Sequence, residues 1–229
     1  MMTKADARSS LISLLRGVEH FNSEVFPEKK ELFSRLAEGQ SPHTLLIACA
    51  DSRVTPDLIT QQDPGNLFIV RNVGNIVPAY GEALGGVSSA IEYGVMALKV
   101  SHIIICGHSN CGAMTALCSP DPSKLDAMPT VRTWLKNAEA ARAVAGALNS
   151  EDGGPPSVQS MSEQNVLLQI AHLRTHPSVA AALAREELII QGWFYDIGTG
   201  EVLVLDEKTR KSISINEAIR QLDAGVPTT

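Results

Sequence analysis

A chain of 229 residues, 44% of them hydrophobic, can bury a core of ordinary size and reads as a single domain over 1–229. The formal net charge of -6 comes without a block of Lys or Arg, which argues against nucleic acid or an anionic membrane as the partner. No apolar run approaches the roughly 18 residues of a spanning helix, "LISLL" is too short for a secretion signal, and four cysteines do not make a disulfide scaffold, so a cytoplasmic protein with reduced thiols or metal ligands is expected.

Residues 1–40 predict an N-terminal helical arm. Leu11, Leu14, Leu15, Val18 and Phe21 recur at the three-and-four spacing that forms one apolar stripe. Pro27 suits the first turn of a second helix carrying Leu32, Phe33 and Leu36. No strand precedes these helices, and the residues leave open whether they fold back on the subunit or lie across a partner.

Short apolar runs follow at 44–49 (TLLIAC), 66–71 (NLFIVR), 102–106 (HIIIC) and 187–195 (ELIIQGWFY). Each is unbroken, which suits strands buried on both faces of a parallel sheet. Helical stretches separate them, notably 84–98, whose Gly and Ser residues permit close packing. The alternation predicts an α/β fold with a mostly parallel central sheet and flanking helices. "GTG" at 198–200 turns the last long strand back into "EVLVLD", an antiparallel edge strand near the C-terminus. The stretch "ALNSEDGGPPS", 147–157, reads as an exposed loop between helices.

Ligands gather at the carboxyl ends of parallel strands, where this chain puts its unusual side chains. Cys49 ends the first strand, His108 follows the third by one glycine, and Cys111 opens the helix of "SNCGAMTAL", whose dipole favours a thiolate. Two thiolates and an imidazole from two strand ends suit a three-ligand zinc site with a fourth position open. In "CADSRVTPD" an extended backbone points Asp51 and Arg53 the same way as Cys49. That carboxylate can bind the ion or accept a hydrogen bond from its water, and an Arg53 fork can decide which. Plainer readings stay open: core residues for the H-x-x-C pair, a loop salt bridge capping the helix that Pro56 starts, a structural zinc closed by Asp51, and a redox pair of Cys106 and Cys111. The last lacks C-x-x-C spacing. Cys106 reads as core and Cys118 as inert, with His43 and His102 structural.

"CADSR" at 49–53 and "HSNC" at 108–111, with "PGNLFIVRNVGN", "SSAIEYGVMALKV" and "QGWFYD", strongly resemble the β-class carbonic anhydrases from about residue 20 to 205. "SPHTLLIACADSR", "IVPAYG" and "ICGHSNCGAMTAL" look especially like the carbonic anhydrase of bacterial cyanate operons. The resemblance implies zinc-dependent reversible hydration of CO₂ to bicarbonate and a proton, one Zn²⁺ per chain on Cys49, His108 and Cys111, and attack by a zinc-bound hydroxide oriented by the Asp51–Arg53 dyad. The family's plant-like branch further implies a CO₂ pocket of Gln40, Phe68, Val73 and Tyr93, with Gln40 coming from a neighbouring subunit. A homodimer is then the minimal active unit, with tetramers or octamers as its multiples. A second branch binds inhibitory bicarbonate through a tryptophan, an arginine and a tyrosine; this chain has Arg71 and Tyr195 but Leu46 in place of the tryptophan, a departure from that site. A zinc-water pKa of about 7 belongs to carbonic anhydrases with three neutral histidines; two thiolates weaken the pull of the ion, so activity is expected to rise toward alkaline pH.

Overall fold

The structure, a computed structural model, describes residues 3–82, 85–119, 121–148 and 156–225. It divides into two compact units, residues 1–40 and 41–229.

The first unit is the predicted helical arm. Helix α1 (Lys4–His20) opens with a capping box: the Thr3 hydroxyl oxygen accepts from the Asp6 N–H, and the Asp6 carboxylate accepts from the Thr3 N–H. A π-helical turn (Phe21–Val25), the single turn α2 (Phe26–Glu28) and α3 (Lys30–Leu36) follow, with Pro27 in the first turn of α2 where its missing N–H costs nothing. The Phe26 ring stacks on Phe33 at 5.3 Å, and Phe21 meets both edge-on. Leu11, Leu14, Leu15 and Val18 are 57–69% exposed, so the stripe of α1 finds no cover within its own unit.

The second unit is built on a six-stranded sheet of order β2-β1-β3-β4-β5-β6. Its strands are β1 (Thr44–Cys49), β2 (Leu67–Asn72), β3 (His102–His108), β4 (Ile189–Tyr195), β5 (Val202–Leu205) and β6 (Ser212–Ser214). β1 to β4 pair in parallel, β5 pairs antiparallel with β4 and β6 antiparallel with β5, a mostly parallel sheet as the fold class predicted. β6 extends the predicted hairpin by one short edge strand that no apolar run announces.

The helices are α4 (Pro56–Thr60), α5 (Gly86–Met96), α6 (Gly112–Cys118), α7 (Pro129–Leu135), α8 (Glu139–Leu148), α9 (Val158–Leu173), α10 (Pro177–Ala184) and α11 (Ile215–Asp223). Among the described residues none is long and apolar enough to cross a membrane. The predicted 147–157 loop falls between α8 and α9, and its residues 149–155, like 83 and 84 before α5, lie outside the described residues.

Side-chain alternation sorts the strands into two faces. Leu45 and Ile47, Ile103 and Ile105, and Ile190 and Phe194 pack against Ile91 of α5, Val166 and Ile170 of α9, and Val179 of α10. Each such side chain contributes about 1.5–3 kcal/mol on burial, which makes this layer the main source of stability. Leu46, Ala48, Ile104 and Cys106 form the opposite face with Val54, Trp193 and Tyr195. Helix α9 sits unusually close to the sheet because two neighbouring strands present glycine to it. A Cβ added at Gly107 of β3 or Gly192 of β4 would lie 2.7 Å from a methyl of Val166. That approach seats α9 beside the carboxyl end of β3.

Candidate metal centre

β1 lies between β2 and β3, so the ends of β1 and β3 are neighbours, and they carry Cys49 and His108. After His108 the chain reverses through Asn110, whose φ of 53° is left-handed and tolerable for Asn. Cys111 is the extended N-cap of α6. These local choices bring the three ligand atoms to within 4.8 Å of one another, all on buried residues. The triad marked out in the sequence is one cluster.

His108 is 0% exposed. Its Nδ1 lies 2.9 Å from the Ser109 carbonyl oxygen, which can only accept, so Nδ1 carries the proton and Nε2 a lone pair. Nε2 is buried without a hydrogen-bond partner. A buried acceptor left bare costs about 1–3 kcal/mol, and a cation facing it removes that cost. The two sulfurs report the same need. Donation from the Cys111 thiol holds the Cys49 sulfur well below the ordinary thiol range, aided by the Gly74 N–H and opposed by burial, while that same hydrogen bond, burial and the Cys49 charge push the Cys111 thiol far up. The bare pair therefore shares one proton, and a divalent ion replaces it by stabilising both thiolates. A neutral imidazole and two thiolates within bonding reach of one point fit zinc.

Asp51 and Arg53 meet, but not by the expected extended alternation. The Val54 N–H donates to the Asp51 carbonyl at 3.0 Å, so residues 51–54 form a turn. Inside it Arg53 donates from Nε to Asp51 Oδ1 at 2.9 Å and from Nη2 to Oδ2 at 2.7 Å. The Arg53 hydrogen bonds hold the Asp51 carboxyl far below the usual carboxylate range. Asp51 Oδ2 stands 3.9 Å from His108 Nε2, so the carboxylate adjoins the metal cluster while both its oxygens are engaged by Arg53.

Two residues join the site unannounced. Arg71, read in the sequence only as part of a different anion site, donates from Nε to the Cys49 carbonyl at 3.1 Å and from Nη2 to the Asp51 carbonyl at 2.5 Å. The signal for it was a single charge ending an apolar strand. The Gly74 N–H reaches Cys49 Sγ at 3.4 Å, with the backbone at a left-handed φ of 80°. Cys106 lies inside β3 with its thiol pushed up to about 12 by burial, a poor nucleophile and no partner for redox chemistry. His43 and His102 are neighbours at the other end of the strands, with rings 6.4 Å apart.

The predicted pocket residues divide. Val73 adjoins the cluster beside Gly74 and is 42% exposed. Phe68 and Tyr93 pack together at 6.0 Å. Phe68 pairs with Leu45 and Asn72 with Cys49, so Phe68 stands about 13 Å along the strand from the Cys49 level of its own chain. Gln40 is the last residue of the first unit and is exposed.

The chain matches the carbonic anhydrase family model over residues 44–202. It is 48% identical over 202 residues to carbonic anhydrase 1 of Escherichia coli O157:H7, covering 88% of this chain and 91% of the relative. It is 45% identical over 204 residues to a carbonic anhydrase of Pseudomonas aeruginosa, covering 89% and 91%. Among solved structures, the β-carbonic anhydrase CcaA superposes with a TM-score of 0.86 at 40% identity, covering 90% of this chain and 92% of that one. Tetrameric β-carbonic anhydrases of Sordaria macrospora superpose at 0.75 with 30% identity, covering 86% and 97%. With likeness of this extent in sequence and in fold, and with the metal cluster and its carboxylate at the strand ends, the chain belongs to the β-carbonic anhydrase family of enzymes.

Proposed function

We propose that the protein catalyses the reversible hydration of CO₂ to bicarbonate and a proton, with one Zn²⁺ per chain held by Cys49, His108 and Cys111. The observation that carries this reading is the bare, buried Nε2 of His108 facing two buried sulfurs beside the Arg53-held Asp51. Zinc held there would supply a Lewis acid that makes a bound water more acidic, though less so than on three neutral histidines because the two thiolates offset its charge.

The chain's own groups orient that water. Asp51, kept ionised by Arg53, is an acceptor only, so it takes a hydrogen bond from the attacking oxygen and turns a lone pair toward CO₂. Arg53 keeps the carboxylate off the metal by occupying both of its oxygens. Arg71, bonded to the carbonyls on either side of Ala50, fixes the backbone that presents Cys49 and Asp51 together. Val73 offers an apolar wall for CO₂.

Gln40, Phe68 and Tyr93 complete the pocket of a second copy. Phe68 is displaced along β2 from the Cys49 end of its own chain, Tyr93 of α5 packs on it, and the arm that ends at Gln40 carries an uncovered apolar stripe. The active unit is therefore a homodimer of the single 1–229 domain, and the tetrameric Sordaria relatives are the precedent for pairing of dimers. The substrate side is small and uncharged or singly charged, in keeping with an acidic chain that lacks a basic patch.

The test is stopped-flow CO₂ hydration over about pH 6 to 9 with zinc measured on the same sample. The reading predicts one zinc per chain and a rate that climbs with pH; zinc-replete dimer without hydration activity would sink it.

A further inference from the structure

The Gly74 N–H that meets Cys49 Sγ belongs to the Val73–Gly74 peptide. The carbonyl of that same peptide accepts a hydrogen bond from the indole Nε1–H of Trp134, on α7, at 2.8 Å. The next peptide is held as well: Asn165 Nδ2 donates to the Gly74 carbonyl at 3.0 Å, Gln169 Nε2 donates to Asn165 Oδ1 at 2.8 Å, and the Val77 N–H donates to Gln169 Oε1 at 2.9 Å. A backbone N–H can only donate, so Val77 fixes the orientation of Gln169, and Gln169 fixes that of Asn165. Both amides are 0% exposed. At Gly74 itself a Cβ would come 3.1 Å from both Ala113 and Met114, so only glycine lets the peptide come this close.

We propose that Trp134 is a positioning residue of the metal centre: through the Val73 carbonyl it aims and polarises the Gly74 N–H onto the sulfur of Cys49. A peptide whose oxygen accepts a hydrogen bond donates more strongly from its nitrogen. A thiolate that receives that donation gives less charge to its metal, which stays a stronger Lewis acid. The device offsets part of what two thiolates take from zinc. Asn165 and Gln169 hold the following peptide so that Gly74 cannot rotate away. The inference rests on the zinc reading above and assigns a part in it to a side chain outside both the proposed ligand set and the Asp51–Arg53 dyad.

The experiment loads nitrogen-labelled protein with an NMR-active cadmium isotope in place of zinc. Wild type is expected to show scalar coupling between the metal and the Gly74 amide, transmitted across the N–H···S bond. Trp134→Phe keeps an aromatic ring but removes the donor. It is expected to bind cadmium in the same stoichiometry, to weaken that coupling, to move the sulfur-to-metal charge-transfer band of the cobalt-substituted protein to longer wavelength, and to slow CO₂ hydration by about 10-fold. Cadmium bound by wild type without coupling to Gly74 overturns the proposal, whether or not the variant folds. An unchanged coupling and cobalt band in folded Trp134→Phe overturns it too, even if activity falls. A protein that takes up no cadmium removes the zinc reading, and this inference with it.

Discussion

Arg53 grips Asp51 at three points: its Nε and its backbone N–H meet Oδ1 at 2.9 and 3.0 Å, and its Nη2 meets Oδ2 at 2.7 Å. A carboxylate held this way has both oxygens engaged, and in the proposed mechanism it serves as a fixed acceptor rather than as a metal ligand. Asp51→Asn keeps the size and the turn but loses the charge. We predict unchanged zinc content and CO₂ hydration slower by about 10²- to 10⁴-fold, the usual contribution of a positioned proton acceptor. Metal analysis and stopped-flow on one sample check this, and a zinc-replete variant at full speed would remove the dyad from the mechanism.

Cys49 and Cys111 differ in kind from Cys106, and single substitutions should show it. Cys49→Ala or Cys111→Ala takes a sulfur from the cluster and is expected to abolish zinc retention through gel filtration. Cys106→Ala removes a buried sulfur from the opposite face of the sheet. It should keep one zinc per chain and lose only about 1 kcal/mol of stability, the scale for a small cavity. Loss of zinc from Cys106→Ala, or full zinc in Cys49→Ala, would mean that the cluster is wrongly assigned.

Much of this site was legible from local pattern, for a physical reason. β1 and β3 are buried on both faces, so they read as unbroken apolar runs, and the ligands stand where those runs end. The D-S-R-V turn was not legible, because the same four residues can extend. What folds them is tertiary: Arg71 from β2 draws in the carbonyls of Cys49 and Asp51. β6 was invisible because three residues with a single apolar side chain owe their conformation to pairing with β5. Trp134, Asn165 and Gln169 act on a loop far away in sequence, and no spacing rule joins them to it. Helix α9 even hides its polar function, since Asn165 and Gln169 are buried and look like interruptions of a core stripe.

Gly107 lies directly before His108, and its lack of a side chain sets how near α9 comes. An added Cβ would meet Val166 Cγ2 at 2.7 Å and the Ser162 carbonyl at 3.4 Å. Gly107→Ala is therefore expected to cost about 1–3 kcal/mol by overpacking. Adding Val166→Ala removes the methyl groups in the way, so the double variant should be less destabilised than the two separate losses sum to. Denaturant unfolding of all four proteins measures the coupling. Simple additivity would show that the contact does not set the spacing.

His176 carries a pH dependence whose sign follows from its burial. It is 2% exposed, and its Nε2–H donates to the Pro78 carbonyl at 3.1 Å, helping to tie down the 72–80 segment that contains Gly74. Burial pushes its pKa below the ordinary 6.5, and the neighbouring His172 adds to this while the Pro78 bond opposes it. The fold thus prefers the neutral ring. Above the unfolded pKa both states are neutral and the stability is fully present. As pH falls through that value the unfolded chain takes up the proton first, and stability drains until the folded pKa is passed. His176→Gln retains a donor for Pro78 without a titrating group. We predict that wild type is the more stable at pH 7.5 and that its lead shrinks by pH 5.5, measured by denaturant unfolding of both proteins at each pH. Acid release of zinc acts on both alike and cancels in the difference, so parallel stability curves for the two proteins would show that His176 does not sense pH.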